Sequence, residues 1–324
     1  MYAPCAGCFI AVKSTVPMKV PVIFLVFNRP ELTRRVLSVI REANPQQLFV
    51  VCDGPRPGRA GDVEKVAAVR QVIADGVDWG CAAQYEYALA NMGCRERVVS
   101  GLNWAFSQVE EAIILEDDCL PDLSFFAFAE EMLARYRSDP RVFHIGGNNF
   151  TGENYAMPHS YAFSRYGHIW GWATWRRAWQ LYTGDLASWK NPLEKSTLMA
   201  GMELGDERGF WGSTFDNCAA KPLAQTTWDY QWTYACWKHH GLAVYPSVHL
   251  VENIGQGAEA THTFDQNPLF ARRCEPLSFP LCHPAVVAGD ARLDREVFRA
   301  VFMGERPWRK KVWHGLRRRF AGVR

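Results

Sequence analysis

The stretch Ile113-Ile114-Leu115-Glu116-Asp117-Asp118-Cys119-Leu120-Pro121-Asp122 places three carboxylates directly after an apolar run. Three adjacent acids repel one another, so a fold that gathers them needs something cationic nearby. At the carboxyl end of a buried strand in an α/β sheet, where ligands usually bind, a metal bridging to phosphate is the expected cation. A solvated acidic turn is the plainer reading; the apolar entry from Ala112 to Leu115 and the exit at Pro121 favour a site. Two other apolar runs stop at polar residues in the same way. Val20 to Phe27 ends at Asn28-Arg29-Pro30, and Leu48 to Cys52 ends at Asp53-Gly54-Pro55. Arginine suits phosphate, and a carboxylate can accept from a base N–H or a ribose hydroxyl. Taken singly, Arg29 also fits an ordinary ion pair, and Asp53 a turn residue before Gly54. Neither GxxxxGK nor GxGxxG occurs, so neither the phosphate-loop nor the dinucleotide design applies. The ligand these residues imply is a nucleoside diphosphate derivative held through metal.

The elements that must position them alternate. The runs ending at Phe27, Cys52 and Leu115 read as buried strands. Helices are expected over Glu31 to Glu42, from a cap at Asp62 to about Ala74, over Arg95 to Val109, and over Ser124 to Tyr136. Strand-helix alternation with continuous apolar strands predicts an α/β fold with a mostly parallel sheet flanked by helices on both faces. Beyond residue 140 the pattern changes. Val142 to Ile145, Tyr161 to Ser164 and Leu242 to Tyr245 read as strands, and Trp228 to His239 as a helix. Residues 184–227 read as irregular. No linker separates two domains. The expectation is one domain over 18–290, with a donor-binding half at about 18–120 and an acceptor half at about 121–290. Residues 1–17 read as an extension expected to be disordered, with Met18 the expected natural start. Residues 291–324 read as a basic amphipathic tail.

Apolar residues make up 48% and charged residues 22% of the 324, ordinary for a globular protein with a sizeable core. Thirteen tryptophans are many, and flat aromatic faces suit sugar rings or bases as well as cores. The net charge of +2 hides an asymmetry: residues 305–324 carry eight basic side chains against Glu305, a net +7, so the remainder carries −5. An acidic body with a basic end argues against a nucleic-acid-binding core. Ten cysteines show a lone CxxC, Cys5 to Cys8, and no second pair; reduced thiols in a cytoplasmic protein are expected. No apolar run approaches the roughly 18–20 residues that span a bilayer.

The blocks "VPVIFLVFNRPELTRRVL", "VVCDGP", "AIILEDDCLPDLSFFAFAEEML", "DPRVFHIGGNNFTG" and "HIWGWATWRRAW" together resemble the N-acetylglucosaminyltransferase I family and related bacterial glycosyltransferases. The resemblance runs in order over roughly residues 19–265, and the acidic block is its most specific part. It implies a GT-A nucleotide-diphospho-sugar transferase fold. It also implies a metal-dependent, inverting transfer of sugar from a nucleotide sugar, UDP-linked (such as UDP-GlcNAc), to a saccharide or lipid-linked saccharide. By resemblance the strand-one end, Phe27, Asn28 and Arg29, and also Asp53, Glu116 and Asp117, bind the donor, with Asp53 facing uracil. Asp118 binds Mn2+ or Mg2+ on the diphosphate. "TTWDYQWTY" is similar to the stretch that supplies the family's catalytic base, which makes Asp229 the expected base; Tyr230 stands where a second acid is usual. His262, in "ATHTF", is a candidate phosphate or metal contact, with a structural histidine as the plainer reading. Trp170 and Trp172, with Trp175, are candidate acceptor platforms, with core packing as the alternative.

At the end of the chain Trp308, Val312, Leu316 and Phe320 recur every four residues among basic side chains. That is the composition of an interfacial helix at an anionic membrane surface, and equally of a solvated basic end. The expected location is cytoplasmic, peripheral on the inner face of the cytoplasmic membrane. Two other classes stay open: a sugar-nucleotide nucleotidyltransferase, although its glycine-rich loop is absent after strand one, and a non-catalytic carbohydrate-binding protein.

Overall fold

Strand β1 (Val22–Val26) is apolar at every position and fully buried. Val22, Phe24 and Val26 point into one core, Ile23 and Leu25 into a second, because successive strand residues face opposite sides. A strand with two apolar faces must be covered on both. Helix α1 (Pro30–Ala43) follows, sealing its end with Asn44 in the left-handed region, and buries Val36, Leu37 and Ile40 against the first core. The computed structural model describes residues 17–202, 204–220, 227–255 and 272–303. His262, most of the amino-terminal extension and the basic residues of 305–324 lie outside the described residues.

The chain continues through β2 (Gln47–Cys52), α2 (Asp62–Gly76), β3 (Ala82–Tyr87), α3 (Cys94–Phe106), β4 (Glu111–Glu116), β5 (Cys119–Pro121) and α4 (Leu123–Tyr136). The later part holds β6 (Val142–Gly146), β7 (Tyr161–Ser164), β8 (Trp172–Trp175), α5 (Arg176–Trp179), α6 (Pro192–Ala200), α7 (Gly205–Ala220), α8 (Asp229–Lys238), β9 (Leu242–Pro246), β10 (Val251–Asn253) and α9 (Ala291–Val297). Eight strands form one sheet in the order β3-β2-β1-β4-β8-β6-β9-β7, and β10 pairs with β5 in a small second sheet. Pairs β3·β2, β2·β1, β1·β4 and β6·β9 are parallel; β4·β8, β8·β6 and β9·β7 are antiparallel. The fold is thus α/β with a mixed, mostly parallel sheet. Helices α1, α2 and α4 cover one face, and α3 with the aromatic-rich helices α5, α7 and α8 covers the other.

Three local readings need correction. Asp62 does not cap α2: Gly61 takes that position, and the Asp62 carboxylate accepts instead from Arg56 Nε at 2.5 Å and Asn28 Nδ2 at 3.0 Å. Residues 184–227 are not irregular throughout, since α6 and α7 lie within them. Helix α7 carries Gly205, Gly209 and Gly212, and interior glycines cost roughly 1 kcal/mol each relative to alanine, so sequence preference argues against it. The helix forms because Trp211, Phe215 and Cys218 share one face and are buried in the second core, with Glu207 buried on the same side and accepting from the Tyr166 hydroxyl. Residues 291–303 are not a free tail, because α9 and the π-type turn Phe298–Met303 bury Leu293, Val297 and Phe298 in the same core.

Candidate active site

Parallel register does the first part of the assembly. Val26 of β1 pairs with Cys52 of β2, and Leu25 pairs with Glu116 of β4. The residues just beyond these ends, Phe27 to Arg29, Asp53 and Asp117 to Asp118, therefore leave the sheet at one edge. Because β2 and β4 flank β1 on opposite sides, that edge is a switch point where a crevice opens. A cavity of about 330 Å³ lies there, walled by Val26, Val51 and Val98 and carrying Arg29, Asp53, Glu116, Asp117, Asp118 and Asp229 on its surface.

The acids are held by backbone and by one cation. Phe27 N–H donates to Asp117 Oδ2 at 3.1 Å. Arg29 Nη1 donates to Asp118 Oδ2 at 2.7 Å and to Asp117 Oδ1 at 3.5 Å. Burial, and after it the charge of Asp118, push the Glu116 and Asp117 carboxyls above the ordinary range, while Arg29 draws both back down. The small sheet fixes Asp118 from the other side: Ile254 N–H donates to its carbonyl at 2.8 Å. Gly255 is required there, since a Cβ would stand 2.3 Å from Asp118 Oδ2.

Asp53 lines the cavity, yet each of its oxygens takes two donors, one from the adjacent Gly54 and three from the loop after β3. Oδ1 accepts from Gly54 N–H at 2.8 Å and Met92 N–H at 2.9 Å; Oδ2 accepts from Asn91 Nδ2 at 2.9 Å and Gly93 N–H at 3.2 Å. Its carboxylate thus ties the loop after β3 to the end of β2. Gly54 permits the close approach, because a Cβ would lie 2.4 Å from the Ala90 carbonyl carbon. Asn28 points away toward Asp62 and is absent from the cavity wall.

In the same cavity lining, Asp229 opens α8 beside Trp228 and Thr227. It stands near enough to Glu116 for its charge to raise that carboxyl further. Trp170 lies on the wall, with Phe150 set edge-on behind it at 5.6 Å. Trp172 does not reach the wall. It is 1% exposed, stacks on His144 at 5.1 Å and supports Trp228 from behind at 5.6 Å and 26°. Trp175, equally buried, lies under the Arg177 guanidinium. Glu252 sits on β10 opposite Leu120, away from the cavity wall.

Residue types alone did not single out Trp228, Cys94, Arg97, Asn253 and Gly255 as cavity residues. Arg97 is a buried cation held by Glu86 through its carbonyl and its carboxylate, both at 2.8 Å. Only the first turn of α3 lying over the crevice reveals it. The signal available for Trp228 was its place beside Asp229. Among the described residues no group of three or more His, Cys, Asp and Glu is arranged to hold a metal ion by itself. The donor set still suits a hard cation shared with a ligand: Asp118 offers a carboxylate oxygen on the wall, and Mg2+-type sites commonly take one or two carboxylates with the rest from phosphate and water.

No protein-family model matches this chain, and no curated protein matches it. Three solved structures are similar to parts of it. The mannosyltransferase PcManGT from Pyrobaculum calidifontis, in complex with GDP-Man and Mn2+, is 16% identical over 69% of this chain and 70% of its own, with a TM-score of 0.39. HddC from Yersinia pseudotuberculosis is 9% identical over 50% of this chain and 80% of its own, with a TM-score of 0.30. A UDP-glucose pyrophosphorylase complexed with UDP-glucose is 8% identical over 51% of this chain and 79% of its own, with a TM-score of 0.30.

Proposed function

We propose that this chain is a metal-dependent, inverting glycosyltransferase that moves a sugar from a uridine diphosphate sugar to a saccharide or lipid-linked saccharide. One observation carries the reading: one cavity is lined by Arg29, the three acids and a separate carboxylate, Asp229, which comes from the start of α8. A displacement at an anomeric carbon needs both, a place for a leaving diphosphate and a base on the opposite side.

Within this reading Asp118 holds Mn2+ or Mg2+, which when bound neutralises charge growing on the departing diphosphate. Arg29 donates to the same phosphates. Val26, Val51 and Val98 give the uracil an apolar slot beside Asp53. Asp229 takes the proton of the acceptor hydroxyl as that oxygen attacks. Trp170 offers an aromatic face to the acceptor, and the buried Trp228 beside Asp229 helps keep water from the attacking oxygen.

The test is a thermal-shift screen of nucleotide sugars with and without Mn2+. A ligand that binds the folded state raises its melting temperature, and a UDP-sugar is expected to do so only with the metal. Slow Mn2+-dependent hydrolysis of that donor marks a transferase; binding without hydrolysis or transfer points to a carbohydrate-binding protein, and nucleotide exchange into the sugar phosphate to a nucleotidyltransferase. The basic residues of 305–324 are assigned to an anionic membrane surface on their charge alone. Co-sedimentation of the full chain and of residues 1–304 with anionic liposomes checks it, the full chain binding more, with the difference lost in high salt.

A further inference from the structure

Asp118 lines the cavity, and a guanidinium already holds its Oδ2. The Arg29 Nη1 contact is 2.7 Å, and the two side chains are 14% and 16% exposed. Asp118 has little freedom to turn away, because Gly255 packs against the same oxygen and Ile254 N–H fixes its backbone. The neighbouring Asp117 cannot substitute freely, since Phe27 N–H takes one of its oxygens and Arg29 lies 3.5 Å from the other. A dication that takes Asp118 Oδ2 must therefore share that oxygen with Arg29 or displace it, and one that takes Oδ1, beside Cys119 Sγ at 3.6 Å, still stands next to the guanidinium; two cations on one carboxylate repel.

We infer that Arg29 is a built-in competitor of the metal: it occupies Asp118 until a diphosphate arrives to take over its hydrogen bonds. The inference rests on the assignment of Asp118 as metal ligand. It has two consequences. The metal alone binds weakly, so an enzyme without donor keeps its acids neutralised by its own side chain. Metal and nucleoside diphosphate bind with positive coupling, each raising the affinity of the other by the same factor, because the diphosphate removes the competitor.

The experiment measures Mn2+ binding to the full chain, first without nucleotide and then with UDP, by the loss of the free-Mn2+ electron paramagnetic resonance signal. The variants are Arg29→Met, Arg29→Lys, Asp118→Asn and the Arg29→Met/Asp118→Asn pair. Without nucleotide, Arg29→Met is expected to bind Mn2+ about tenfold tighter than the parent or more, Arg29→Lys to fall between, and the gain to vanish in the double variant. The coupling between Mn2+ and UDP is expected to shrink in Arg29→Met. Since this variant also strips the acids of their counter-ion, thermal melting gives a second readout: Mn2+ should stabilise Arg29→Met more than it stabilises the parent. Equal Mn2+ affinity in parent and Arg29→Met, or an equal melting shift, overturns the competitor while leaving Asp118-dependent Mn2+·UDP binding in the parent as support for the metal site. Mn2+ binding that is insensitive to Asp118 with and without UDP overturns the metal assignment, and the competitor with it.

Discussion

On one wall of the cavity, Arg29, Asp53 and the acids at 116–118 sit just past the ends of three parallel strands, located by backbone ladders such as Val26 to Cys52 and Leu25 to Glu116. Elsewhere in the lining, Asp229 and Trp228 start a ten-residue helix that is located by rings: Trp172 and Trp179 each pack against both Trp228 and Trp232. The two parts should answer to mutation differently. A ladder tolerates side-chain replacement because its hydrogen bonds are main-chain. A position set by interdigitated rings shifts when one ring is removed, since a dense interior relaxes only in part.

The sharpest break concerns Asp229. Asp229→Asn keeps shape but cannot take a proton, and loss of a general base costs ~10²–10⁴-fold in rate. Turnover is expected to fall by that range while donor affinity, measured by calorimetry, stays near the parent's; transfer at close to the parental rate would put the base elsewhere.

Trp172 and Trp170 separate core from site. Trp172→Ala empties a buried position and is expected to cost about 3–5 kcal/mol in denaturant unfolding. Trp170→Ala, on the half-buried cavity wall, is expected to raise the acceptor KM with little change in stability. Equal effects of the two on stability would remove Trp170 from the acceptor platform.

For the wall of strand ends, Asp118→Ala should leave the melting temperature of the metal-free protein within a few degrees of the parent, because the ladder of β4 persists. Calorimetry with UDP and Mn2+ should show affinity lowered roughly thirtyfold or more, as when one partner of a buried charge contact is removed. Unchanged metal-dependent affinity would remove Asp118 from the site.

The smallest expected effect tests the ring-packed side by acid. Burial lowers the pKa of His144 to about 4 and of His249 to about 4, against an unfolded value near 6.5. The folded state then binds fewer protons than the unfolded one, so this contribution is complete above pH 6.5 and is lost as pH falls toward 4. Asp294 works in the other direction: burial raises it to about 6, so falling pH through that value favours the folded state. His144, 1% exposed, accepts from Trp232 Nε1 at 3.2 Å and contacts the His168 carbonyl at 3.0 Å. Between pH 7 and pH 5 it accounts for about 2 kcal/mol of lost stability. His144→Gln, which retains polar atoms, should unfold with a shallower pH dependence over that interval; an unchanged slope would show that His144 titrates alike in the folded and unfolded chain.

Much of the first wall was readable in residue order. Apolar runs of strand length, each ending at a polar group, announce parallel strands and place Arg29, Asp53 and the acids at their ends, because alternation and burial act over a few neighbouring residues. The strand β8 and the helices α6 and α7 were not readable. β8 is half tryptophan and α7 is interrupted by glycines, α6 buries only Leu198, and none carries a clean apolar period; contacts with residues far away in the chain order them. Distance in sequence also hid what Asp53, Asn28 and Trp172 do. A carboxylate before a glycine looks the same whether it faces a ligand or gathers the Asn91-to-Gly93 loop, and a tryptophan looks the same on a wall or behind it. Residue types determined which chemistry was available, a cluster of acids with an arginine and a second carboxylate among aromatics. Which oxygen is open, which is spent on a loop, and which arginine stands on Asp118 were decided by tertiary structure, since each depends on a partner brought in from another element.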